Sequence, residues 1–138
     1  MNSTARIPLR VSPLPRPGRV IERRKQRSGR AGDALEMALS AAAAGGVLDV
    51  VLIADDCGML VSSSHTPLDL EMLAAITPIV SRGRAKASVK RNGEQRDLSV
   101  KSIRIFDETL HVAALGGDAS SRALGVIRSV TAARRILG

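Results

Sequence analysis

Two histidines, one cysteine, a run of serines and a pair of glycines are the residues of this 138-residue chain whose types could do chemistry. His65 follows Ser62-Ser63-Ser64, and His111 alternates with Leu110 and Val112 in a strand-like run. A nucleophilic serine needs a base within reach, and the serine run lacks the G-x-S-x-G setting of a nucleophile elbow. A metal ion needs several ligands at short, regular spacing, and no ligand-spaced cluster accompanies either histidine. The two therefore read as a loop histidine and an outward-facing strand histidine. Cys57 has Asp55 and Asp56 beside it, and their charge opposes thiolate formation. Gly116-Gly117-Asp118 precedes a helical pattern and could cradle a phosphate, but G-x-x-x-x-G-K-[ST] is missing and Asp118 would repel an anion. The sequence thus offers no catalytic residue, no cofactor and no metal, and the chain reads as non-enzymatic.

The strongest electrostatic feature is an N-terminal arm. Nine of the 21 bases but one of the 13 acids fall in residues 1–30, so the net +8 belongs to that segment and residues 31–138 sum to zero. Arg16, Arg19, Arg23, Arg24, Lys25, Arg27 and Arg30 lie there with Pro8, Pro13, Pro15 and Pro17, a composition that cannot offset the entropy of ordering. Residues 1–30 are expected to be a disordered basic arm and 31–138 a folded domain. Such an arm can hold nucleic acid or anionic membrane through phosphate contacts. No aromatic side chain is interleaved with its arginines, so base stacking is not expected. The lone cysteine, the lack of a secretory-type apolar stretch near the N-terminus and the lack of any run of roughly 20 apolar residues point to a soluble cytoplasmic protein.

The elements that would position these residues follow from periodicity. Asp33 is a candidate N-cap for a first helix carrying Leu35, Met37, Ala38, Leu39 and Ala42, which stops at Gly45-Gly46. Val47 to Ala54 is nearly continuous in apolar character, as a strand covered on both faces must be. Asp55-Asp56-Cys57-Gly58 supplies a turn, and residues 59–64 an antiparallel partner. Thr66 and Pro67 suit the start of a second helix running to about Arg82. Arg84 to Arg91, Arg96 to Phe106 and Leu110 to Gly116 read as a meander joined at Asn92-Gly93 and at residues 107–109. The apolar phase slips between Leu98/Val100 and Ile103/Ile105, which predicts a bulge near Lys101-Ser102. Asp118 caps a last helix carrying Ala123, Val126, Ile127, Val130, Ala133 and Leu137, with Arg134-Arg135 at its end.

The resulting α-β-β-α-β-β-β-α order, with the D-x-x-G turn at Asp55–Gly58 after an apolar strand, resembles the Roadblock/dynein light-chain family over residues 33–137. That resemblance implies an α/β/α sandwich around a five-stranded, largely antiparallel sheet, with the second helix on one face and the first and last on the other. It also implies dimers with itself or a paralogue, no catalytic residues, and service to small Ras-like GTPases.

The second helix supports association on its own account. Leu68, Leu70, Met72, Leu73, Ile76, Ile79 and Val80 cover an arc of roughly 200°, against the ~100° stripe of an ordinary surface helix. Leu70, Met72, Leu73, Ile76, Ile79 and Val80 are accordingly expected to form a dimer or partner interface. Pro78 is expected to bend the last turn.

Overall fold

The computed structural model describes residues 28–83 and 88–138, and residues 31–138 form one compact unit. Eight elements follow in chain order: α1 Ser28–Gly46, β1 Val50–Asp55, β2 Leu60–Ser63, α2 Glu71–Ser81, β3 Ser88–Arg91, β4 Glu94–Ile105, β5 Glu108–Leu115 and α3 Ala119–Leu137. The sheet order is β2-β1-β5-β4-β3, and every neighbouring pair is antiparallel. This is the expected α-β-β-α-β-β-β-α order.

The alternation of side chains along a strand sends neighbours to opposite faces, so two cores result. Val51 and Ile53 of β1 with Leu110, Val112 and Ala114 of β5 face Leu35, Leu39 and Ala43 of α1 and Val126, Val130 and Ala133 of α3. Val50, Leu52 and Ala54 with Ala113 and Leu115 face Leu70, Leu73 and Ala74 near and in α2. The continuously apolar first strand is explained by this, since Val50 through Ala54 are all buried between the two layers.

Several boundaries move. Asp33 does not cap α1, because the helix begins at Ser28 and Asp33 lies exposed within it. At the other end Leu48 N donates to Ala43 O and Val47 N to Ala44 O, a Schellman closure. The left-handed residue there is Val47, at φ 52°, a strained conformation for a β-branched side chain. Thr66 and Pro67 do not open α2. The Thr66 hydroxyl instead accepts from Leu68 N and Asp69 Oδ1 from Glu71 N, two local turns that delay the helix until Glu71. Of the strand expected from Arg84, residues 84–87 lie outside the described residues.

The bulge expected near Lys101-Ser102 is absent: β4 and β5 pair without a shift from Leu98↔Leu115 to Ile105↔Glu108. The slipped phase has another cause. Leu98 and Val100 pack on the α2 side, whereas Ile103 and Ile105 pack on the α1/α3 side. The long strand β4 is covered on one face near its start and on the other near its end. An irregularity does occur elsewhere, between Ile53 and Ala54 where β1 pairs with β2. In α3, Asp118 caps as expected, its Oδ1 accepting from Ser121 N at 2.7 Å. Ala123 and Ile127 nevertheless face solvent, because Gly125, Ser129 and Ala132 take the buried positions. The small side chains there admit close neighbours: a Cβ on Gly125 would lie 2.7 Å from Leu48 Cδ1.

Candidate functional site

Helix α2 is short and apolar, and its contacts divide the predicted interface set. Leu70 and Leu73 are buried in the sheet-facing core, and Ile76 and Val80 are half-buried at its edge. Met72 and Ile79 face outward, at 68% and 41% exposure. The wide apolar arc therefore serves two surfaces, one turned to the sheet and one left open among the described residues. Pro78 lies inside the helix and is buried, and it deprives the last turn of one backbone donor. The Thr77 hydroxyl, fully buried, donates back to Leu73 O at 2.8 Å.

The end of α2 is held by a succession of side chains that sequence reasoning missed. Ser81 Oγ meets Ser102 Oγ of β4, and Ser102 Oγ lies 2.8 Å from His111 Nδ1 of β5. His111 Nε2 lies 2.8 Å from Asp56 Oδ1 in the β1–β2 turn, and Arg82 Nη2 donates to that same oxygen at 2.7 Å. A carboxylate can only accept, so Nε2 carries a proton toward Asp56, and Nδ1 lies within hydrogen-bond distance of the Ser102 hydroxyl. The hydrogen bond from His111, opposed by partial desolvation and aided by the Arg82 charge, holds the Asp56 carboxyl below the ordinary aspartate range.

His111 is thus not the outward histidine expected: it is 3% exposed. Strand β5 is central, so its second face, outward by alternation, lies toward α2. The signal that could have found it was the pairing of His111 with Ala54, next to the Asp55-Asp56 turn. Serine, imidazole and carboxylate in hydrogen-bonded succession also make a nucleophile, base and orienting group conceivable. Here both ring nitrogens are engaged, the serine is bonded to a second serine, and the carboxylate oxygen is shared with an arginine. The arrangement acts as a clamp between α2, the turn and the sheet.

The remaining candidates take ordinary places. His65 is exposed, 3.3 Å from Glu36, and Cys57 is exposed with its backbone N donating to Asp55 Oδ1. At Gly116-Gly117 the suggested cradle is already filled. Arg122, 7% exposed, donates to Gly117 O at 2.8 Å and to Ser99 Oγ, and Asp49 forks with Arg96 beside Gly116. The bond from Ser121 N holds the Asp118 carboxyl below its ordinary range. Of the basic arm residues, Arg16, Arg19, Arg23, Arg24, Lys25 and Arg27 lie outside the described residues, and Arg30 is exposed in the first turn of α1. Among the described residues no group of His, Cys, Asp and Glu could hold a metal ion, and no helix is long and apolar enough to cross a membrane.

A five-stranded antiparallel sheet with two helices on one face and a short helix on the other defines an α/β/α sandwich of the light-chain type. No protein-family description matches the sequence, and no curated protein does. Solved structures do match. MglB of Myxococcus xanthus is 13% identical with a TM-score of 0.54, over 75% of this chain and 94% of that one. The gliding protein MglB of Thermus thermophilus is 14% identical with a TM-score of 0.60, over 79% and 92%. An MglB in a tetrameric arrangement is 15% identical with a TM-score of 0.60, over 79% and 91%. The fold is that of the MglB proteins, the Roadblock/dynein light-chain fold.

Proposed function

We propose that this protein is a non-enzymatic, cytoplasmic platform that dimerises with itself or a paralogue and binds or regulates a small Ras-like GTPase through the outer face of α2. One observation carries the reading. Met72 and Ile79 stand exposed on a helix whose other apolar residues already fill the sheet-facing core. Contiguous apolar surface on one helix face favours association, and Met72 and Ile79 lie two turns apart on the same face. The GTPase as partner rests on the likeness of the element order and fold to Roadblock proteins.

The clamp at Ser81, Ser102, His111, Asp56 and Arg82 supports the same reading, because it fixes the last turn of α2 where Pro78 has weakened the backbone ladder. A docking helix held at its end loses less freedom on binding. The test uses a purified small Ras-like GTPase, loaded with GDP or a non-hydrolysable GTP analogue, and this chain immobilised on a sensor. Retention of one nucleotide state, lost with Met72→Asp/Ile79→Asp while circular dichroism is unchanged, is the expected result. Equal retention by parent and variant rejects this surface. Leu73 is not a suitable site for the same test, since its burial means that a charge there would unfold the domain.

A further inference from the structure

We infer that a cleft at the N-terminal end of α2 docks a short extended segment of a partner protein in which apolar side chains alternate with lysine or arginine. This goes beyond the GTPase reading and holds whatever the outer face of α2 binds. The cleft encloses about 370 Å³ between the β1–β2 turn and the start of α2, within the range of roughly 300–1,000 Å³ typical of small-ligand sites. Its floor is apolar and buried, made by Leu70 and Ala74, and its walls are Met59 and Leu60, 62% and 45% exposed. Unbranched methionine adapts to varied apolar partners.

The floor is preformed. Gly58, at φ 85°, brings the turn backbone directly onto the helix, where an added Cβ would stand 3.0 Å from Ala75 Cα. Asp55 Oδ1 fixes the turn by accepting from both Cys57 N and Met59 N. An extended occupant fits because β2 is the outer strand of the sheet among the described residues. Ser64 N donates inward to Val51 O, so by alternation the backbone groups of Ser63 point to the edge that no described strand covers. A peptide strand can add there.

The charge of the occupant follows from the rim. Asp69 and Glu71 line the cleft and are exposed, and neither has a cationic partner among the described residues. Apolar floor and acidic rim together select side chains of alternating apolar and basic character over a neutral or acidic segment.

The experiment measures fluorescence anisotropy of a labelled synthetic peptide alternating leucine with lysine, titrated with the full chain. Saturable binding is expected, weakened about tenfold or more by Glu71→Lys, by Met59→Lys and by replacing the peptide's lysines with serine. Backbone amide shifts in the NMR spectrum should be confined to Gly58–Ser63 and Asp69–Ala74. Both substituted positions are exposed, so circular dichroism should not change. Absence of saturable binding, or equal binding of the serine peptide, overturns the inference. So does conversion of the protein to a lighter species by Met59→Lys, which would make the cleft a contact between copies of this chain.

Discussion

The two faces of the sheet are finished to different degrees. On one, two helices of 19 residues each cover Val51, Ile53, Leu110 and Val112, and Leu39 and Ala133 are fully buried. On the other, a single helix of 11 residues covers Leu52, Ala113 and Leu115, and Leu68, Ile76, Val80, Val89 and Val100 remain partly buried at the fringe. The first face has a fringe too, at Leu48, Val61, Ile136 and Leu137, but two long helices cover it. The second is a core with an open margin, and that margin is where association would recover apolar area.

The sharpest way to test this contrast is to remove equal volume from each face. Leu39→Ala should cost about 3 kcal/mol in urea unfolding, because a fully buried site between two helices and the sheet cannot collapse. Leu73→Ala should cost about 2 kcal/mol, since a lone helix can settle toward the sheet. Equal costs would mean that the α2 face is packed as tightly as its opposite.

A smaller effect concerns the clamp. Asp56→Asn should cost about 1 kcal/mol, through weakened bonds to His111 and Arg82 at a half-exposed carboxylate. The sign of its pH dependence is set by the depressed pKa of Asp56. The carboxylate's contribution is fully present above the ordinary aspartate value and is lost as pH falls through the lower, folded value. The difference in stability between the parent and Asp56→Asn should therefore vanish in acid; a difference that persists there would assign the effect to shape instead. Smallest of all, Ser129→Ala on the two-helix face should stabilise by about 1 kcal/mol or less, because Ser129 is fully buried and its Oγ has no hydrogen-bond partner among the described residues. A loss of stability there would point to a bonded hydroxyl.

Much of the fold was legible from pattern alone. Continuous apolar character in Val50–Ala54 implied two covered faces, Asn92-Gly93 implied a two-residue turn, and both residues are left-handed there. The wide arc of α2 implied a surplus face, which Met72 and Ile79 supply. What was not legible depended on tertiary neighbours. The shift at Leu98/Val100 and Ile103/Ile105 reads as a bulge in one strand, whereas two layers of unequal extent produce it. The burial of His111 depends on the centrality of β5, and its bonds on side chains distant in sequence at Asp56 and Ser102. Thr66 and Asp69 are as suited to turns as to caps, so the start of α2 could not be placed by residue type.

The central claim is that the open margin at α2 is an association surface, and sedimentation equilibrium of the full chain beside Met72→Asp/Ile79→Asp tests it most directly. Both substitutions lie at exposed positions and should shift unfolding stability by no more than about 0.5 kcal/mol. The account predicts a mass of two chains for the parent and of one chain for the variant, with unchanged circular dichroism. The same mass for both would contradict it.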